Sequence, residues 1–207
     1  GKHLLGLIND ILDLSKIEAG RMELNEENLA IEPLIEQVEA VVSGMASNRG
    51  IEIVTRRTET LPRVCADESK LRQILFNLLS NAIKFSDDGQ TVELETRFRP
   101  AAESPLQADS VEIAIIDHGI GIKAEEQQLL FDEFRQAEGG LARGGTGLGL
   151  VLVRKLTELQ RGIVTFDSIP GRGSTFRVIL PAAGDGNAGT SLDSSGIAGT
   201  SPRAPVA

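Results

Sequence analysis

Tryptophan and tyrosine are absent from this 207-residue sequence, and seven phenylalanines make up its aromatic content. So sparse a set argues against a platform for stacking nucleic-acid bases. There is one cysteine, Cys65, and there are two histidines, His3 and His118. A single thiol cannot build a disulfide framework, and so few soft ligands argue against an all-protein zinc site. A lone cysteine in a folded chain fits a reducing compartment. No run of about 18 uncharged apolar residues occurs, so no transmembrane helix is expected within the sequence. Positive charge is in deficit: 21 Lys and Arg face 30 Asp and Glu, for a net charge of −9. That balance argues against general binding to phosphate backbones.

The apolar fraction is 41%, enough for a core in one domain plus an appendage at this length. Residues 1–22 carry Leu4, Leu7, Ile11 and Leu14 at helical spacing, with Leu5, Ile8 and Leu12 beside them. This apolar band is too wide for a lone solvated helix and calls for partner helices in a bundle or dimer. Gly20 is a helix-end signal. The first residue is Gly within a helical pattern, so the chain reads as part of something longer. Helices are expected over 31–48, from an N-cap at Asp67 to about Phe85, over 123–131, and from Leu148 to Leu159. Strands are expected at 51–55, 91–98, 111–117, 162–167 and 174–180. Residues 99–110 read as a polar loop and 135–147 as a mobile glycine-rich one. From Ala182 onward, Gly, Ala, Ser, Thr and Pro dominate, the composition of a disordered linker or tail. Helices alternating with paired strands predict an α/β sandwich, with one sheet covered by helices on one face.

Two glycine clusters could carry chemistry. Asp117-His118-Gly119-Ile120-Gly121-Ile122 follows a strand, and Gly144-Gly145-Thr146-Gly147-Leu148-Gly149-Leu150 opens a helix. Glycine lets the backbone approach a ligand closely, and a helix N-terminus offers N–H groups to phosphates. Neither cluster fits the P-loop or the G-x-G-x-x-G fingerprint. Taken singly, each is as well explained by a flexible loop. Between them in interest lies the helix segment at 71–86. There Asn77, Asn81 and Lys84 fall on one face at i, i+4 and i+7. Two amide oxygens and an ammonium suit a hydrated Mg²⁺ and a triphosphate, although two Asn satisfying nearby backbone groups would account for the pair alone.

Together, and in this order, the segments resemble the catalytic ATP-binding domain of a sensor histidine kinase of the hybrid type, within the GHKL ATPase superfamily. Residues 71–86 resemble its asparagine box. Asp117-x-Gly119-x-Gly121 resembles its first glycine box, and Phe131-Asp132-Glu133-Phe134 its phenylalanine box. Gly145-Thr146-Gly147-Leu148-Gly149 resembles its second glycine box, and Gly171-x-Gly173-Ser174-Thr175-Phe176 its closing motif. The resemblance implies an α+β fold, a mixed sheet covered by helices on one face, over residues 25–181. Residues 1–24 are similar to the second helix of the family's dimerisation hairpin, and 182–207 are left as tail.

The resemblance further implies ATP and Mg²⁺ as cofactors. Asp117 would accept the adenine amino group, with Gly119, Gly121 and Ile122 passing close to the base and Thr175 lining its pocket. Asn81 and Asn77 would hold Mg²⁺, Lys84 would neutralise phosphate charge, and Phe85 would pack nearby. Gly145, Thr146, Gly147, Leu148 and Gly149 would form the lid hinge and the phosphate-facing helix start. Phe131 and Phe134 would anchor the lid in the core. Hydrolytic relatives carry a Glu one turn before the Mg-binding Asn. Here that position is Asn77, which cannot act as a base near neutral pH. The implied reaction is γ-phosphate transfer to a His on a dimerisation hairpin, then relay to an Asp on a response-regulator receiver domain. The acceptor His motif is absent, and neither His3 nor His118 replaces it. The implied partners are the hairpin, in the same protein or supplied in trans, a second copy in a homodimer, and the receiver, with no nucleic acid. The expected setting is cytoplasmic, with the parent protein anchored in the inner membrane as an open option. A regulatory pseudokinase and a hydrolytic ATPase are the rival readings. The segment between Arg135 and Gly144 is about two residues shorter than is usual for this type, placing Arg143 against the glycines. Leu159-Gln160-Arg161-Gly162 stands where the family more often has Met-Gly-Gly, and a local adjustment of the turn is expected.

Overall fold

The computed structural model describes residues 2–57, 61–132 and 147–184. The expectations for Glu133, Phe134, Arg143, Gly145 and Thr146, and for the tail beyond 184, lie outside these residues. In chain order the elements are α1 (Lys2–Glu18), β1 (Glu26–Leu29), α2 (Ile31–Ser47), β2 (Glu52–Arg57), β3 (Val64–Asp67) and α3 (Glu68–Phe85). Then follow β4 (Thr91–Arg99), β5 (Ser110–Asp117), α4 (Ala124–Gln127), α5 (Gly149–Leu159), β6 (Ile163–Ile169) and β7 (Gly173–Pro181).

Five strands form one mixed sheet in the order β2-β4-β5-β7-β6. Only β2 and β4 run parallel; the other pairs are antiparallel. Alternation along the strands sends one set of side chains toward α2, α3 and α5. Val92 and Leu94, Ile113 and Ile115, Phe176 and Val178 belong to this set and lie in the same buried cluster as Ile35, Val38, Leu75, Leu79 and Leu156. The opposite face carries cross-strand ion pairs, among them Arg56–Glu93, Arg177–Asp167, and Arg97 and Arg99 on the buried Glu112. A sheet with one face in the core and one charged face needs the period-two alternation that the sequence shows.

Asp67 caps α3 as expected: its Oδ1 accepts from the Lys70 N–H at 3.0 Å. Asn25 N–H and Ser69 Oγ donate to the same carboxylate. Burial alone would raise the Asp67 pKa, but these donors outweigh it and hold the group below its ordinary value. Gly20 ends α1 in the left-handed conformation, with φ +63°. α1 docks through Leu14, which is buried against Leu148 and Val151 at the start of α5.

Three features depart from the sequence reading. β1 and β3 form a separate two-stranded antiparallel sheet, and neither strand was expected, because each is only four residues long. The helix expected over 123–131 shrinks to four residues, Ala124–Gln127. The ordered chain also passes 181: Ala182 bridges Val64, and Ala183 N–H donates to Arg63 O.

Candidate nucleotide site

β5 ends on Asp117, and the chain must leave the sheet there. Asp117 is 6% exposed and is paired across the sheet with Ser174 of β7. Its Oδ1 accepts from the Gly119 N–H at 3.0 Å. Burial raises the Asp117 pKa above its ordinary value, and hydrogen bonds from Gly119 and from the backbone and hydroxyl of Ser174 partly offset that rise. A buried carboxylate with such fixed donors is an acceptor held ready for a ligand N–H.

Glycine is required in this turn for closeness. A Cβ on Gly119 would lie 2.1 Å from Phe85 O, and one on Gly121 would lie 2.1 Å from Ile169 O. Gly121 also has φ +63°. Gly173, at φ +107°, would place a Cβ 1.9 Å from Asp117 O. These contacts bring the first glycine cluster onto the C-terminus of α3 on one side and the β6–β7 turn on the other. Gly171 N–H donates to Ile120 O at 2.7 Å. The peptide groups of Ile122 are taken by Ser168 Oγ and Gln127 Nε2, each at 2.9 Å.

The C-terminus of α3 is gripped from outside. Arg49 Nη1 donates to Ile83 O and Lys84 O, its Nη2 donates to Ser86 O, and its Nε meets Asp88 Oδ1. Ala82 O accepts from Ser86, and Phe85 O from Ile120 N–H. The orphan carbonyls that end a helix are thereby satisfied while its last turn is fixed beside Gly119. That turn carries Lys84, whose pKa burial lowers. Its ammonium lies 5.1 Å from the centroid of the Phe85 ring. Asn81 is half-buried. One turn earlier, the Asn77 amide nitrogen is buried without a hydrogen-bond partner. A Cβ on Gly149 would come within 3.9 Å of Asn77 Cγ, so the first turn of α5 meets α3 at this residue. Gly147, φ +73°, precedes α5, and Leu148 is buried beneath it.

Contacts thus join Asp117, Gly119, Gly121, Ile122, Phe85 and Lys84 at the end of α3, and Asn77 with Gly149 one helical stretch earlier, while Asn81 lies between them on α3 and Gly147 and Leu148 lead into α5. The structure does not bring Thr175 to them. Thr175 pairs with Ile116 and Asp167, on the face opposite Asp117. Ser174 takes the place expected of Thr175. The signal was present: Phe176 is a core residue, and a period of two from it selects Ser174. Phe131 packs edge-to-face on Phe166 at 5.8 Å, and Phe166 stacks on Phe176 at 5.7 Å. His118 Nε2 lies 3.1 Å from Glu93 Oε1. Gln160, where a local adjustment of the turn is expected, is fully buried. Its Oε1 accepts from Asp67 N–H and its Nε2 donates to Leu156 O, which ties α5 to the cap of α3. Arg161 takes the strained turn position, with φ +59°. Arg49, Gln160 and Ser168 were not singled out for any role by sequence, because each acts through partners distant along the chain.

A mixed sheet backed by helices, with an acid at a strand end facing an Asn-bearing helix and a glycine-hinged one, defines an ATPase-type nucleotide fold. The family of histidine kinase-, DNA gyrase B- and HSP90-like ATPases matches residues 66–184, and the chain belongs to it. A sensor-like histidine kinase of Rhizobium meliloti (strain 1021) is 38% identical over 190 residues, which is 91% of this chain and 35% of that protein. The signal transduction histidine-protein kinase BarA of Escherichia coli (strain K12) is 37% identical over 84% of this chain and 19% of its own length. The chain therefore spans about a third or less of these relatives. Among solved structures, full-length ShkA in complex with AMPPNP superposes with a TM-score of 0.75 at 32% identity, covering 87% of this chain and 36% of that one. Among the described residues no helix is long and apolar enough to cross a membrane.

Proposed function

We propose that this chain is the ATP-binding catalytic module of a two-component sensor histidine kinase, passing the ATP γ-phosphate to a His on a dimerisation hairpin. The observation that carries the reading is Asp117, a buried carboxylate braced by Gly119 and Ser174 and connected by packing to the Asn77, Asn81 and Lys84 face of α3. Its acceptor oxygens suit the amino group of adenine. Kinship with named histidine kinases, and with a ShkA structure holding AMPPNP, supports it.

Mg²⁺ fits the donor set. Among the described residues no group of three or more His, Cys, Asp and Glu could hold a metal. Asn77 and Asn81 offer neutral amide oxygens, which suit a cation that keeps substrate phosphate and water as its other ligands. The Asn77 amide nitrogen, buried without a hydrogen-bond partner, is a donor that suits a phosphate oxygen, while its oxygen suits the ion. When bound, the ion neutralises phosphate charge. The protein binds adenine through Asp117, orients the phosphates at the start of α5, and holds positive charge near them with Lys84. Asn77 cannot deprotonate water, so ATP hydrolysis is slow, and catalysis rests on positioning and electrostatics.

Residues 1–24 supply the second hairpin helix in this reading, 25–181 with the Ala182 and Ala183 contacts to Val64 and Arg63 the catalytic domain, and the rest to 207 a linker or tail. The partners are the first hairpin helix with its acceptor His, a second copy of the protein and a receiver domain. The module works in the cytoplasm, where ATP is available.

The test is transfer of γ-labelled phosphate from Mg-ATP to a supplied hairpin bearing the acceptor His. Acid-labile label on the hairpin, lost in Asp117→Asn, is the expected result. Nucleotide binding without any transfer would leave a regulatory pseudokinase, and sustained hydrolysis abolished by Asn77→Ala would make the chain a hydrolytic ATPase.

A further inference from the structure

Asp117 is not held by its own loop alone. Of the residues that brace it, Ser174 contributes a hydroxyl and a backbone N–H, and Gly173 packs directly on its carbonyl group. Both are in turn held by one side chain on the neighbouring strand. Ser168 Oγ lies 3.0 Å from Ser174 Oγ and 3.1 Å from Gly173 O. The same oxygen accepts from Ile122 N–H at 2.9 Å. Gln127 Nε2 completes the clamp by bridging Ile122 O and Ser168 O.

A count of protons fixes the direction of this network. Two hydroxyls carry two protons. The Ser174 proton goes to Asp117, so the Ser168 proton is left for Gly173 O and Ser174 Oγ. Ser168 therefore donates toward the Asp117 support while receiving from the glycine loop. Its hydroxyl is half-buried, at the end of an edge strand.

We propose that Ser168 is a positioning residue for adenine recognition, acting through Ser174 and Gly173 on Asp117 and through Ile122 on the first glycine loop. The proposal rests on the nucleotide-binding reading above. It makes a specific demand: loss of the hydroxyl must weaken contacts to the base and spare contacts to the phosphates, which lie with α3 and α5.

The test is isothermal titration of the full chain with Mg-ADP and with Mg-tripolyphosphate, for wild type and for Ser168→Ala, Ser168→Cys and Ser168→Thr. Loss of one such supporting hydrogen-bond centre predicts ADP binding weaker by about tenfold in Ser168→Ala. Tripolyphosphate binding is expected to stay within about twofold, and Ser168→Thr, which keeps the hydroxyl, to restore ADP binding to within about threefold. If Ser168→Ala does not fold by circular dichroism, Ser168→Cys, close in size but a weak donor, decides by the same criterion. ADP affinity unchanged in the folded variant, or ADP and tripolyphosphate weakened equally, would overturn the proposal and leave the function standing. A wild-type chain that binds neither ligand would overturn both.

Discussion

Arg49→Ala gives the sharpest check on how the last turn of α3 is held. The guanidinium donates to Ile83 O, Lys84 O and Ser86 O, and is paired with Asp88 at 2.7 Å. The Asp88 side chain is 75% exposed, so that pair contributes little. The carbonyl contacts matter more. A cation at a partly buried helix C-terminus contributes about 1 kcal/mol, and the three lost hydrogen bonds to carbonyls that water partly reaches add about 0.5 kcal/mol each. The expected loss is then roughly 2–3 kcal/mol, or about 4–12 °C in melting temperature for a domain of this size. Arg49→Lys keeps the charge but cannot fork across three carbonyls, so it should recover about half of that loss. Urea denaturation gives the stability, and ADP titration reports whether Lys84 and Phe85 have moved. A variant within about 0.5 kcal/mol of wild type, with unchanged ADP affinity, would refute this account, because surface substitutions without structural role fall in that range.

Asp117→Asn should separate stability from function. The folded pKa of Asp117 lies above its unfolded value, so the folded state holds more protons just above the ordinary carboxylate range and stability falls as pH rises through that window. At neutral pH the ligand-free Asn variant should melt roughly 2–4 °C higher per kcal/mol relieved, yet show no thermal shift with ADP; a lower melting point would contradict the burial argument. For Asp67 the sign is opposite: its folded pKa is lowered, so its contribution is present at neutral pH and is lost as pH falls below the ordinary carboxylate value. An Asp67→Ala variant should therefore differ from wild type near pH 7 and converge with it in acid-denaturation curves. Gly119→Ala drives a Cβ to 2.1 Å from a backbone oxygen and should cost about 3 kcal/mol or more. Its control, Gly89→Ala, has φ +79° but open space and should cost only about 1–2 kcal/mol; equal losses in chemical denaturation would remove the close-approach argument. Gln160→Ala strands the buried Asp67 N–H and should cost about 1–3 kcal/mol, with a midpoint matching wild type counting against that role.

Legibility in the sequence followed the range of the interaction. α2, α3 and the long strands declare themselves by periodicity, and the Asp67 cap by its position before an apolar run. The nucleotide motifs were legible because five segments, four of them marked by glycine or asparagine, keep the order of the family they resemble. β1 and β3 were hidden because four residues hold too little period, and their pairing spans residues 26 to 67. Arg49, Gln160 and Ser168 were invisible for a related reason. Each satisfies backbone groups whose identity depends on the fold, and an arginine, a glutamine or a serine in a polar stretch carries no mark of that. Thr175 was misplaced although the information was local: a one-residue slip in strand phase reverses the face.

The close contacts explain why so much of this site is backbone. Gly119, Gly121 and Gly173 each lie against a carbonyl of another element: Phe85, Ile169 and Asp117 respectively. Side chains would have to be shorter than a methyl group to allow it. The contacts bind the end of β5, the end of α3 and the β6–β7 turn into one unit, and Asp117 sits at their junction. A buried carboxylate raised in pKa is an unfavourable thing to hold in place, and flexible side chains alone would let it rotate toward solvent. Three glycine contacts and the Ser168–Ser174 pair remove that freedom before any ligand arrives. A ligand that accepts this geometry needs little reorganisation of Asp117, while α5 is fixed on α3 through Leu152, Val153 and Leu156 and through Gln160 at the Asp67 cap.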